Sequence, residues 1–128
     1  MPLISEDLDL SSLEEDLLTL LEAQELYGLE IIKAMQSATG GKRKIGYGSL
    51  YPTLHKLQKR GFLKARWGED TPTERAGARR RYYRITAQGQ EALNQTRKIR
   101  VKLVQWRPSL VTNMKGFWLL TMKNARGC

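Results

Sequence analysis

A mostly α chain with a small β-hairpin (α+β) is what the sequence predicts, and three observations predict it. Apolar residues recur at helical spacing in successive segments, glycines interrupt those segments, and two short alternating stretches flank a loop containing Gly, Asp, Thr and Pro. The first periodic segment is Ser11 to Ala23, where Leu13, Leu17, Leu20 and Leu21 share a face and Glu14, Glu15, Asp16 and Glu22 fall mostly elsewhere. Ser12 followed by Glu15 fits a capping box, in which hydroxyl and carboxylate each satisfy an orphan backbone N–H, and the early acids suit the positive end of the helix dipole. Gln24 to Gly28 interrupts the pattern. Leu29, Ile31, Ile32 and Met35 then begin a second apolar face that runs to about Ala38, and Thr39-Gly40-Gly41 supplies a left-handed stop.

A third helix opens at Gly46-Tyr47-Gly48, with Leu50, Leu54 and Leu57 on its buried face. Proline lacks an N–H and is comfortable only near a helix start, so Pro52 places that start between Tyr47 and Tyr51, and Gly61 ends the helix. Ser49, Thr53, Lys56 and Arg60 form what reads as the opposite face, polar and cationic without one acid. Phe62 to Trp67 alternates, with Leu63, Ala65 and Trp67 on one side and Lys64 and Arg66 on the other; Arg81 to Thr86 alternates similarly. The loop from Gly68 to Arg80 joins them as a hairpin with a basic tip. Thr86 caps a last helix from Ala87 to about Val104, sparse in apolar positions and ended by Pro108. Helix, helix, helix and hairpin in this order are the signature of a winged helix-turn-helix.

Composition narrows the function. The chain has 128 residues and 41% hydrophobic content, enough for one core without disulfides or metal. One cysteine, Cys128, and one histidine, His55, exclude a disulfide framework, a CxxC redox pair and a His-rich metal centre. No nucleophile, base and orienting group stand at catalytic spacing, so the reading is not an enzyme, with no cofactor and no metal. The first ten residues carry acids and no Lys or Arg, the reverse of a secretion signal, and the longest uninterrupted apolar run is Phe117 to Leu120, far short of a membrane span. A cytoplasmic protein without a membrane partner is expected.

Charge is unevenly placed. Residues 1–32 hold nine acids and no Lys or Arg, whereas residues 33–128 hold all 22 Lys and Arg against four acids, a net of +18. The second part should attract polyanions and the first avoid them. A helix fits the major groove of DNA, and Lys56 and Arg60 on the third helix suit phosphates or guanine edges, with the Tyr51 hydroxyl beside them. A solvated basic helix face explains those cations equally well from periodicity alone. Arg75, Arg79, Arg80 and Arg81 gather at the hairpin tip, where guanidinium groups can grip phosphates bidentately. Tyr82 and Tyr83 are adjacent in a strand, so at most one faces DNA and the other is core.

Several motifs agree in order and spacing with one family. Tyr27-Gly28-Leu29-Glu30-Ile31-Ile32, Thr39-Gly40-Gly41, the run from Gly48 to Leu57, Arg60-Gly61, and Arg79 to Thr86 with Gly89 closely resemble the PadR family of bacterial transcriptional regulators, over roughly Leu13 to Leu93. The resemblance implies a winged helix-turn-helix, homodimerisation through the first and C-terminal helices, and an operator-binding repressor. By position it implies DNA contacts from Ser49, Tyr51 and Lys56 on the recognition helix and from Arg79, Arg80 and Arg81 on the wing. Gly46 and Tyr47 depart from the Ser-Pro that often precedes the recognition helix, which removes the N-cap side chain. The domains expected are an acidic segment at 1–10, a winged helix-turn-helix at 11–86, a dimerisation helix at 87–105 and a tail at 106–128.

The family's frequent response to small molecules implies a possible effector, but Gln95 to Arg100 has no aromatic residue where some members hold flat aromatic ligands; Trp106 comes later, as dimer core or pocket wall. The acidic first 32 residues suggest intersubunit packing on the basic last helix, through Glu14 and Glu15 among others. The function expected is a sequence-specific homodimeric repressor on a palindromic operator. The alternative is a nonspecific nucleic-acid-binding or chromosome-architectural protein, which net charge supports nearly as well.

Overall fold

Three apolar helix faces and the inner face of a small sheet meet in one core. The computed structural model describes residues 9–68 and 80–108. Helix α1 spans Ser12–Ala23, and its cap is Ser11 rather than Ser12: Glu14 N–H donates to Ser11 Oγ at 3.2 Å and Ser11 N–H to Glu14 Oε1 at 2.8 Å. Adjacent serines offer two boxes, and the fold takes the one that turns Glu14 inward toward a cation of a later helix. The buried face is therefore Leu17, Leu18, Leu21 and Glu14, with Leu13 and Leu20 at its edge.

Leu26–Tyr27 forms a strand, β1, where the sequence showed only an interruption. Two residues are too few to display alternation; their structure comes from pairing with a distant segment, Leu26 with Tyr83 and Tyr27 with Tyr82. Helix α2, Gly28–Ala38, buries Ile31 and Met35, while Leu29, expected on its apolar face, is exposed. Its end is closed by Thr39 Oγ1 donating to the Met35 carbonyl at 2.8 Å and by Gly40 and Gly41 at φ 63° and 82°, the left-handed stop that the sequence required.

Helix α3 spans Tyr47–Lys59 from an N-cap, Gly46, that contributes no side-chain bond. Leu50, Leu54 and Leu57 are fully buried. Gly61 at φ 84° turns the chain, and Phe62 N–H donates back to the Leu57 carbonyl at 2.9 Å while its ring enters the core. Strands β2 (Leu63–Trp67) and β3 (Arg81–Ile85) pair antiparallel from Leu63 opposite Ile85 to Trp67 opposite Arg81, completing a sheet of order β1-β3-β2. Tyr83 is the core member of the tyrosine pair.

Helix α4, Ala87–Gln105, starts at the expected cap: Gly89 N–H donates to Thr86 Oγ1 at 3.0 Å, and that hydroxyl donates to the Gly61 carbonyl at 2.7 Å. Gly89 lies so close to the sheet that a Cβ there would overlap the Phe62 carbonyl oxygen and stand 2.9 Å from Ile85 Cγ1. Ala92 and Leu93 of α4 fill the core of this unit, which runs to Arg97. Residues from Lys98 form a second unit, in which Ile99, Val101, Leu103, Val104 and Trp106 are exposed.

Candidate nucleic-acid interface

At about 100° per residue, the row Ser49, Thr53, Lys56 and Arg60 follows one residue behind or ahead of the leucine row and so lies on a flank of α3. The residues facing directly away from the core are Gly48, Pro52, His55 and Lys59, all exposed. The expectation that Ser49, Thr53, Lys56 and Arg60 form the opposite face is corrected accordingly: Ser49 and Lys56 are open to solvent, while Thr53 and Arg60 are half-buried against neighbouring elements. His55, the single histidine, is on the outer row.

Nor is that flank free of acids. Glu14 of α1, only 3% exposed, presents its carboxylate to it: Arg60 Nη1 is 3.4 Å from Oε1 and Lys56 Nζ is 4.0 Å from Oε2. Arg60 also lies 4.7 Å over the ring of Phe62, the residue before β2, which fixes it between α1 and the turn that leaves α3.

Tyr51 occupies the other flank of α3. Its ring stacks on Tyr47 with centroids 5.6 Å apart and planes 8° from parallel, and its hydroxyl lies across Gly28, where a Cβ would collide with the phenol. Burial, followed by the neighbouring Tyr83 and Tyr47 phenols, raises the Tyr51 pKa above its ordinary value, so the group is a neutral O–H donor throughout the physiological range.

Beside Gly28, the Tyr27 ring carries the Arg80 guanidinium at 4.8 Å and meets Tyr82 edge-on at 5.4 Å. Arg66 covers Tyr82 at 4.8 Å and is itself held by Glu25, through Nε at 2.9 Å and Nη2 at 2.8 Å; this bidentate bond holds the Glu25 carboxyl below its ordinary pKa. Arg81 lies 5.0 Å over the Trp67 ring, which is half exposed. Arg75 and Arg79 lie outside the described residues. Of the six sequence-predicted contacts, Tyr51 and Arg80 converge on the adjacent residues Gly28 and Tyr27, Arg81 is one strand position further, and Ser49 and Lys56 stand on the opposite flank of α3. Trp67 went unnoticed as a site residue because alternation marks it only as inward-facing; its place opposite Arg81 at the strand end is visible only with the register known.

The acids of α1 are used within the chain. Glu22 accepts from Arg97 Nη1 and Nη2, both at 3.0 Å, and from Gln90 Nε2 at 2.6 Å. These bonds, Arg97 first, lower the Glu22 pKa and raise that of Arg97. Acid-on-base packing between α1 and α4 is thus found inside one chain. The buried Glu14 contradicts the expectation that it meets another subunit. Asp16 pairs with Arg43 in the basic turn before α3, beside a cavity of about 410 Å³ with Leu13, Met35 and Ile45 in its wall.

Three helices on a three-stranded sheet, with a cation-bearing third helix and an arginine-rich hairpin base, define a winged helix-turn-helix of the kind found in transcriptional regulators. More narrowly, the chain belongs to the PadR-like family of transcriptional regulators, whose model matches residues 17–95. It is similar to a PadR-like transcription factor of Bacteroides fragilis (28% identity, TM-score 0.64, covering 73% of this chain and 84% of that one). It is also similar to a transcriptional regulator of Clostridium thermocellum (32% identity, TM-score 0.61, 71% and 86%). A structure of Bacillus subtilis PadR in complex with operator DNA shares the fold at 23% identity and TM-score 0.60, covering 78% of this chain and 50% of that one.

Proposed function

We propose that this regulator binds double-stranded DNA sequence-specifically as a homodimeric repressor, with α3 in the major groove, the wing on the adjacent backbone, and release by a small-molecule effector. The contacts are Ser49, Tyr51 and Lys56 from α3 and Arg79, Arg80 and Arg81 from the wing. The observation that carries the reading is the convergence of Tyr51 and Arg80 on Gly28 and Tyr27, which couples a hydrogen-bond donor of the recognition helix to a wing cation. The operator complex of Bacillus subtilis PadR supports DNA as the partner. Exposed Ile99, Val101, Leu103, Val104 and Trp106 support a dimer through the C-terminal helix, and two recognition helices about 34 Å apart would read a palindrome. The protein acts in the cytoplasm and catalyses no reaction in this account.

Selection from a random duplex library at near-physiological salt tests it. The expected result is one enriched palindrome, retained against random DNA by a factor of ~10³ or more and lost on Tyr51→Ala. The net charge of +9 favours a second reading, a nonspecific architectural protein. Steeply salt-dependent binding to every sequence, with no enrichment, would select that reading instead.

A further inference from the structure

A buried carboxylate is costly unless paired, and Glu14 is incompletely paired. Its Oε1 accepts from Ser11 N–H and faces Arg60, but its buried Oε2 has no hydrogen-bond partner among the described residues; the Lys56 ammonium lies 4.0 Å from it on a side chain 69% exposed. Arg60 is held in place by Glu14 and the Phe62 ring. Among the described residues Lys56 is tied to nothing else and can swing outward.

We infer that Glu14 is a positioning residue for the DNA-contacting flank: its carboxylate fixes Arg60 and competes with a DNA phosphate for the Lys56 ammonium, acting as an internal brake on binding. The inference rests on the reading of Lys56 as a DNA contact. It assigns to an α1 residue, remote in sequence from the recognition helix, control over how much of that helix's charge is available. Capping alone does not require a carboxylate, since glutamine serves at the same position of a capping box. The negative charge is what the cap leaves unexplained.

The test is a double-mutant cycle on the full chain with a fluorescent duplex, read as affinity against salt concentration. Glu14→Gln keeps an oxygen for Ser11 N–H and for Arg60 while removing the charge. It should tighten binding by up to about fivefold, the upper range of what an exposed ion pair is worth, and steepen the slope of log K against log salt by up to about 0.9. Lys56→Met alone should weaken binding, and in that background Glu14→Gln should lose its effect. Ser11→Ala, which removes the cap hydroxyl and spares the carboxylate, should lower the unfolding midpoint without tightening binding. Should Glu14→Gln not fold, Glu14→Asp, which draws the charge back by one methylene, should show the same tightening in smaller measure. If Lys56→Met weakens binding but Glu14→Gln does not tighten it, or tightens it equally without Lys56, the inference is overturned and the Lys56 contact stands. If Lys56→Met changes nothing, the contact itself is wrong and the inference falls with it.

Discussion

The recognition-helix flank and the wing root hold their cations in different ways. At the C-terminal half of α3, Arg60 is held by a buried carboxylate from α1 that also faces the looser Lys56 ammonium, and it offsets part of the charge of both. At the wing root, Arg80 and Arg81 lie over the faces of Tyr27 and Trp67, and an aromatic face orients a guanidinium without cancelling its charge. A basic patch read from sequence therefore overstates the helix and understates the hairpin base. Charge near α3 is restrained by folding, while charge at the wing root is aimed by it.

The largest effect should come from the close contact of α4 with the sheet, a joint that carries neither set of cations. Gly89→Ala would drive a methyl group into the Phe62 carbonyl and the Ile85 side chain, a steric cost of about 1–3 kcal/mol with no direct effect on either set of cations. Denaturant unfolding should show a lowered midpoint, with DNA affinity unchanged wherever the variant remains folded. A loss of affinity larger than the unfolded fraction explains would mean that the two regions are coupled through this joint and are not held independently.

Trp67 sharpens the contrast at the wing. Trp67→Ala removes no charge, yet by freeing Arg81 it should weaken duplex binding about twofold to fivefold, the 0.5–1 kcal/mol that such an exposed stack supplies. Trp67→Phe should preserve most of the affinity. Arg81→Lys, which keeps the charge and loses the planar stack, should behave like Trp67→Ala. Equal affinity in all three variants would show that the stack plays no part in binding.

Much of this arrangement was legible in advance. The glycine stops at Gly40, Gly41 and Gly61, the Thr86 cap and the alternation in β2 and β3 reflect local backbone chemistry, and each stands where the sequence put it. What escaped depends on partners distant in the chain. Strand β1 exists because Tyr82 and Tyr83 pair with it; the box shifted from Ser12 to Ser11 because Glu14 meets Arg60; and the cationic row of α3 looked opposite to the leucines although consecutive rows on a helix are about a quarter-turn apart. The six proposed DNA contacts come from motif positions, whereas the aromatic faces that hold Arg80 and Arg81 needed the sheet register.

The smallest effect concerns pH. Glu22 and Glu25 have carboxyl pKa values lowered from 4.5 by Arg97 and Arg66 respectively. A depressed folded-state pKa contributes stability above the unfolded value, and that contribution is lost as pH falls through the folded one. Unfolding free energy should therefore decline below about pH 4.5, and Glu22→Gln or Glu25→Gln should each flatten the decline by about 0.2–1 kcal/mol, the range for exposed pairs. An acid limb identical to wild type in both variants would remove these pairs from the account.

The most direct test of the central claim is an amide NMR titration of the full chain with the duplex enriched by selection. The largest perturbations should fall at Ser49, Tyr51 and Lys56 and at Arg80 and Arg81, with Tyr27 and Gly28 following because they carry Arg80 and Tyr51 respectively. Perturbations confined to the residues from Lys98 onward, with α3 and the wing root silent, would contradict it.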